Sequence, residues 1–123
     1  MNRFPRVFAL TMCLGLCACA HASNAPPRTV RASWYGGGER LSRHTANGER
    51  FNPRAMTAAH RSLPFGTRLA LTNPANGRTV VVRVTDRGPA ASTGRALDLS
   101  RGAAAALGML ERGTGSLTMR VLP

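Results

Sequence analysis

The chain has 123 residues and a formal net charge of +12, with 17 basic side chains, all of them arginine, against five carboxylates. This length leaves room for one small domain and excludes a multidomain protein. A charge this positive favours an anionic partner, which would be nucleic acid, anionic lipid or the anionic cell wall.

The N-terminus has the pattern of an export leader. Arg3 and Arg6 precede Val7–Leu16, a run of apolar residues that is too short to span a bilayer as a helix. A leader of this kind takes the chain out of the cytoplasm. We therefore expect no nucleic-acid partner and a location in the periplasm or cell envelope.

Two processing sites are compatible with the end of this leader. Leu16–Cys19 resembles a lipobox, in which Cys19 becomes the lipidated first residue of an outer-membrane lipoprotein. An Ala-x-Ala pattern instead predicts cleavage before Ser23 and a soluble periplasmic or secreted product. We assign residues 1–22 to the signal peptide region, which ends either at the lipobox or before Ser23, and residues 23–28 to a short tether that precedes a domain over residues 29–123.

Cysteine and histidine usage argues against a metal or a disulfide in the domain. The last cysteine is Cys19, so the domain contains no thiol that could bind zinc or form an internal bridge. His44 and His60 are the histidines beyond the leader, and they lie outside any His-Glu-x-x-His pattern. The prediction is a domain without metal or cofactor.

Short strands separated by turn signals predict a single, mainly β domain. The predicted strands are Thr29–Tyr35, Thr67–Thr72, Arg78–Thr85, Ala96–Leu99 and Leu117–Leu122. Thr57–Arg61 is predicted as one helical turn, and Ser100 as the N-cap of a helix that runs to Leu107 and ends at Gly108. A closed barrel is the economical arrangement for so few residues, because it leaves no strand edge exposed.

The valine-rich strand leads directly to a candidate acid. Val80, Val82 and Val84 share one face of the strand, and Asp86 has the same parity. If the strand continues by one residue, Asp86 points inward at the end of the barrel, where a partly dehydrated carboxyl is suited to general-acid chemistry. The alternative is a structural aspartate that begins a turn by bonding its own backbone.

Other candidate residues each have a structural alternative. Glu49 follows an Asn-Gly turn and could be a solvated surface acid, and His60 could be a structural histidine. Trp34 and Tyr35 are adjacent, so on a strand they face opposite ways: one packs in the core, and the other can stack on a sugar ring. Asp98 lies between two leucines and has the opposite parity, so it is either a solvent-facing strand acid or a buried one that holds loop amides, and we favour the structural role.

Taken in order, these motifs resemble the rare lipoprotein A (RlpA) family of septal-ring lytic transglycosylases. The matching motifs are Ala32–Gly36, Thr45–Phe51, Thr57–His60, Leu63–Thr67, Asn76–Arg78, Val82–Pro89, Gly94–Arg95 and Asp98–Ser100. The resemblance spans Arg31–Leu122. It implies a six-stranded double-psi β-barrel with one or two short helices, the fold of barwin and the expansins.

The resemblance also implies a reaction and a set of site residues. The family cleaves the bond between N-acetylmuramic acid and N-acetylglucosamine without water, which leaves a 1,6-anhydro end on the glycan strand. Asp86 matches the catalytic acid/base, and Glu49 and His60 match the polar residues beside it. The implied substrate-binding residues are Trp34, Tyr35, Thr45, Asn47 and Arg87. The expected partner is a peptidoglycan glycan strand bound by a monomer, and the alternative is an expansin-like module that binds the polysaccharide without cleaving it.

Overall fold

The computed structural model describes residues 26–35 and 43–123, which form a closed barrel of six strands. The strands are β1 (Arg28–Tyr35), β2 (Thr57–His60), β3 (Arg68–Thr72), β4 (Thr79–Asp86), β5 (Leu97–Ser100) and β6 (Thr114–Val121). A 3₁₀ turn at Ala91–Thr93 precedes β5, and one α-helix, α1 (Arg101–Ala106), follows it. The predicted leader, including Cys19, lies outside the described residues.

The strand order around the barrel is β1-β5-β2-β4-β3-β6. The pairs β1/β5 and β2/β4 are parallel, and the other four pairs are antiparallel. This arrangement confirms the predicted mainly β barrel with few helices. No helix among residues 26–35 and 43–123 is long and apolar enough to cross a membrane.

Alternating apolar side chains fill the inside of the barrel. Val82 and Val84 of β4, and Leu97 and Leu99 of β5, are 1% exposed or less, as the period-two pattern predicts. The other members of this core are Ala32, Ala58, Leu69, Leu71, Ala103, Ala104, Leu107, Met109, Leu117 and Met119. Each fully buried leucine or valine contributes about 1.5–3 kcal/mol to the free energy of folding. The core therefore gives the side chains on the outer face of the barrel a stable support.

Ser100 joins the helix to the barrel, and its predicted N-cap role is confirmed. Its buried Oγ accepts a hydrogen bond from the N–H of Ala103 at 3.2 Å and donates to the carbonyl of Ala55 at 2.6 Å. The helix ends before Gly108, which adopts a φ of 72°. The cap therefore fixes α1 against the segment that leads into β2.

The prediction of a helical turn at Thr57–Arg61 is wrong. Residues Thr57–His60 form β2, which lies between β4 and β5 and pairs with both. Its alanines have a strong intrinsic helix propensity, but two neighbouring strands supply hydrogen bonds on both edges of this segment. Small side chains also suit its position, because Ala58 is completely buried in the core.

The predicted inward orientation of Asp86 is also wrong. Strand β4 does extend to Asp86, but its register against β2 shifts between Ala58 and Ala59. Ala58 pairs with Val84 and Ala59 pairs with Asp86, so Thr85 is the extra residue on β4. The shift moves Asp86 onto the outer face of the barrel.

Candidate active site

Three of four neighbouring strands place a polar side chain in one row across the outside of the barrel, and the fourth strand, β2, contributes an alanine. Ser33 of β1 pairs with Asp98 of β5, Asp98 pairs with Ala59 of β2, and Ala59 pairs with Asp86 of β4. Paired residues in a sheet share a face, and this face is the one opposite the leucine core. The row brings two carboxylates together with Tyr35, and we call the surface formed by Tyr35, Asp86 and Asp98 the acidic face.

The Asp86 carboxylate is held through only one of its oxygens. Oδ1 accepts hydrogen bonds from the N–H of Ala46 at 3.0 Å and the N–H of Arg87 at 2.9 Å. The bond from Arg87 is the local backbone contact expected of an aspartate that begins a turn. The bond from Ala46 spans 40 residues and holds the loop before β2 against the end of β4. Oδ2 has no hydrogen-bond partner among the described residues, so it is available to carry a proton.

The loop over residues 43–51 is organised by Thr45 and Asn47. The Thr45 hydroxyl donates to Asn47 Oδ1, which also accepts from the N–H of Glu49 at 3.0 Å. The N–H of Asn47 donates to the carbonyl of Thr85 at 3.1 Å. Both predicted substrate-binding residues therefore shape the loop and hold it beside Asp86.

Glu49 leaves this loop to form an ion pair with Arg83 of β4. Arg83 Nη1 and Nη2 donate to Glu49 Oε1 and Oε2 at 2.5 and 2.9 Å, in a two-pronged arrangement. These bonds lower the pKa of Glu49 and raise that of Arg83. Glu49 is therefore ionised at neutral pH, and its ion pair ties the loop to the strand that carries Asp86.

His60 at the end of β2 is tied to its own turn. Its Nδ1 accepts from the N–H groups of Ser62 at 3.1 Å and Leu63 at 3.0 Å. Burial lowers the pKa of His60, and the positive charges of Arg61 and Arg87 lower it further. The imidazole is thus neutral with its proton on Nε2, and within the described part of the chain it makes no hydrogen bond to Glu49 or Asp86.

Arg87 supports the loop that follows β2. Its Nη1 donates to the carbonyls of His60 at 3.1 Å and Leu63 at 2.7 Å. Its guanidinium carbon lies 3.9 Å from the centre of the Phe65 ring. The side chain predicted to bind substrate is therefore occupied in bracing the backbone around His60.

Tyr35 lies on the acidic face, and Trp34 does not. The Tyr35 ring packs on Phe51 with the ring centres 5.2 Å apart. Burial raises the pKa of Tyr35 to about 12, helped by the negative charges of Asp86 and Asp98 and opposed by the Thr57 hydroxyl. That hydroxyl falls short of hydrogen-bond geometry, so the buried Tyr35 hydroxyl has no partner among the described residues. Trp34 packs against the core from the inner side of β1, so the structure does not bring it to the site.

Asp98 is the site residue that the sequence analysis assigned to structure alone. Its Oδ1 accepts from the Ser33 hydroxyl and from Arg95 Nη1, the latter at 3.0 Å. The parity opposite to Leu97 and Leu99 was the available signal, because it places Asp98 on the outer face. Only the pairing of β1, β5, β2 and β4 shows that this face also carries Asp86. In the described ranges, no three His, Cys, Asp or Glu side chains lie close enough together to hold a metal ion.

Comparison with known proteins identifies the barrel. The sequence profile of a double-psi β-barrel family described as "Lytic transglycolase" matches residues 28–119. Proteins named probable endolytic peptidoglycan transglycosylase RlpA are 60% identical over 92 residues in Nostoc sp. and 56% identical over 91 in Synechocystis sp.. In Campylobacter jejuni, a protein named endolytic peptidoglycan transglycosylase RlpA is 47% identical over 91 residues. Each match covers 74% of this chain but only 24%, 28% and 32% of those relatives, so the chain spans about a quarter to a third of their length.

Solved structures show the same fold at low sequence identity. The Streptomyces papain inhibitor superposes with a TM-score of 0.63 at 22% identity, over 80% of this chain and 96% of its own. Cerato-platanin 3 from M. perniciosa gives a TM-score of 0.56 at 13% identity, over 78% and 95%. These likenesses concern the barrel alone, whereas the family profile spans the residues of the acidic face. The chain belongs to the lytic transglycolase family of double-psi β-barrels, as its resemblance to RlpA implied.

Proposed function

We propose that this protein is an endolytic peptidoglycan lytic transglycosylase that acts in cell-wall remodelling or daughter-cell separation. It cleaves the bond between N-acetylmuramic acid and N-acetylglucosamine and leaves 1,6-anhydro ends. Family membership and the names of the RlpA relatives support this proposal. The observation that carries it is the Asp86 carboxylate, which is anchored through Oδ1 by two backbone N–H groups while Oδ2 has no hydrogen-bond partner among residues 26–35 and 43–123.

Asp86 serves as acid and then as base in this mechanism. Protonated Oδ2 gives its proton to the glycosidic oxygen as the bond from C1 to that oxygen breaks and positive charge develops on the sugar ring. The resulting carboxylate takes the proton of the C6 hydroxyl of the same sugar, whose oxygen attacks C1. The bond that forms closes the anhydro ring, no water is consumed, and Asp86 is protonated again.

The neighbouring groups act on charge and orientation. Glu49 stays ionised through its pair with Arg83, so its negative charge stabilises the positive sugar ring. His60 is neutral and offers its Nε2–H to a substrate oxygen. The Tyr35 hydroxyl, which has no partner among the described residues and which its raised pKa keeps protonated, is available to donate a hydrogen bond beside Asp86.

The test measures product ends by mass spectrometry after the purified protein has acted on peptide-free glycan strands. We expect anhydromuramic ends from the unmodified protein and from Glu111→Gln, which changes an exposed acid away from the acidic face. Asp86→Asn keeps the Oδ1 acceptor and removes the proton, so cleavage should fall by about 10²–10⁴-fold. Reducing ends would indicate hydrolysis, and strands bound but left intact would indicate an expansin-like binding module; either result contradicts the proposal.

We further propose that the protein is exported and acts as a monomer in the periplasm or outer membrane, anchored through a lipid on Cys19. The leader pattern and the lipobox-like Leu16–Cys19 support export and lipidation. Labelling cells with radioactive palmitate should mark the protein, and Cys19→Ser should abolish the label. A labelled Cys19→Ser variant would contradict the anchor, and light scattering of the soluble form tests the monomer.

A further inference from the structure

A pocket lined by arginines opens beside the acidic face. It has a volume of about 330 Å³ and lies between the start of β1, the end of β2 and the 3₁₀ turn. Its charged lining consists of Arg28, Arg31, Arg61 and Arg95. We call it the arginine pocket, and none of the described residues that line it is acidic.

Most of the positive charge in the arginine pocket is not neutralised. Arg61 donates from Nε to the carbonyl of Pro89 and from Nη2 to the carbonyl of Arg95, which fixes its guanidinium without cancelling its charge. Arg28 and Arg31 form no ion pair within residues 26–35 and 43–123. Of the four arginines, only Arg95 has a carboxylate partner among the described residues, and that partner is Asp98. Cations this close repel one another, and an anion bound among them would relieve that repulsion.

The pocket and the acidic face are joined by shared side chains. Arg95, which lines the pocket, donates to Ser33 and Asp98 on the acidic face. Arg31 precedes Ser33 by two residues on β1, a separation of about 7 Å at the rise of an extended strand. A polymer bound along the acidic face would therefore present its neighbouring unit to the arginine pocket.

We propose that the arginine pocket binds a carboxylate carried by the glycan strand, and that this contact positions the strand for cleavage at Asp86. This inference rests on the proposed function. The planar guanidinium fork matches a carboxylate through paired N–H···O bonds. Peptidoglycan can supply this group from two sources, the lactyl carboxyl of an unsubstituted muramic acid and the carboxylates of a stem peptide.

The experiment measures the affinity of the whole protein for peptide-free strands before and after chemical amidation of their carboxyl groups. Amidation removes the anion and leaves the sugar backbone intact. Arg31→Gln and, separately, Arg28→Gln remove a cation of the pocket, and Arg120→Gln is the matched control on β6. Both Arg31 and Arg120 are exposed strand residues, so each variant should fold, and thermal unfolding verifies this.

We expect amidation to weaken binding to the unmodified protein and to Arg120→Gln by about fivefold, as for an ion pair worth about 1 kcal/mol. Arg31→Gln should lose a similar factor on untreated strands and become insensitive to amidation. If both pocket variants stay as sensitive to amidation as Arg120→Gln while cleavage continues, this inference is overturned and the proposed function survives. If the unmodified protein neither binds nor cleaves any strand, both are overturned.

Strands that retain their stem peptides distinguish the two sources of the carboxylate. If Arg31→Gln weakens binding to peptide-free strands but not to peptide-bearing strands, the ligand is the lactyl carboxyl, because the stem peptide converts that group to an amide. The reverse pattern supports a carboxylate of the stem peptide.

Discussion

Two substitutions of Asp86 separate its role in anchoring the neighbouring backbone from its role in proton transfer. Asp86→Asn keeps a carbonyl oxygen at Oδ1, whereas Asp86→Ala removes the acceptor for the N–H groups of Ala46 and Arg87. A hydrogen bond to a charged group contributes about 1.5–3 kcal/mol when buried. Asp86 is only half-buried, so water recovers part of each bond, and we expect the alanine variant to lose about 1–2 kcal/mol in total.

Thermal unfolding followed by circular dichroism measures this difference. One kcal/mol shifts the midpoint of a domain of this size by about 4–8 °C, so Asp86→Ala should melt roughly 5–15 °C lower than the unmodified protein. Asp86→Asn should melt within about 3 °C of it and still fail to produce anhydro ends. Equal destabilisation by both substitutions would refute the idea that Oδ1 alone anchors the carboxyl. Retained cleavage by Asp86→Asn would remove Asp86 as the acid.

Three further substitutions test the surroundings of the site. Tyr35→Phe deletes a buried hydroxyl that has no partner among the described residues, so the free energy of unfolding in urea should change by less than about 0.5 kcal/mol, while loss of the donor beside Asp86 should lower the cleavage rate about tenfold. Ser100→Ala removes the cap of α1 and one of two hydrogen bonds to the carbonyl of Ala55, which keeps its bond from the N–H of Thr57, at a cost of about 1–2 kcal/mol in the same assay, against less than about 0.5 kcal/mol for the exposed Ser116→Ala. His60 has a folded-state pKa below its usual 6.5, so protonation favours the unfolded chain. Its contribution to stability should be complete above pH 6.5 and decline as the pH falls toward the folded-state pKa, and urea midpoints of His60→Gln should show a smaller decline over that range.

Local sequence patterns correctly predicted those strands and caps whose structure depends only on residues within the same segment. The alternating valines of β4 and the serine before an alanine-rich helix behave as their sequence indicates, because one face of a strand and one cap need only neighbouring residues. The same reasoning failed at Thr57–His60. There the competing preference comes from β4 and β5, which lie far away in sequence and pair with both edges of β2.

The candidate site depends even more on long-range pairing. Simple alternation assigns Asp86 to the core, and a single extra residue at Thr85 reverses that assignment. Asp98 and Asp86 share a face only because β2 lies between their strands in the barrel. Parity placed Asp98 on the face opposite its leucine neighbours and set Trp34 and Tyr35 on opposite faces without saying which faces inward, and no local signal could show that Asp98 and Tyr35 belong to one surface.

In this domain, arginine side chains stabilise loops that disulfides stabilise in many small secreted proteins. No cysteine follows Cys19, and the loops around the acidic face are instead held by guanidinium groups bonded to backbone carbonyls, as with Arg61 and Arg87. A guanidinium has five N–H donors in one plane, so it can donate to two carbonyls at once, and it keeps its positive charge when it does so. The residues that order these loops therefore also produce the positive potential that attracts an anionic strand. Lysine at the same positions would keep the charge but lose the paired geometry, which gives a physical reason for the exclusive use of arginine at Arg61 and Arg87.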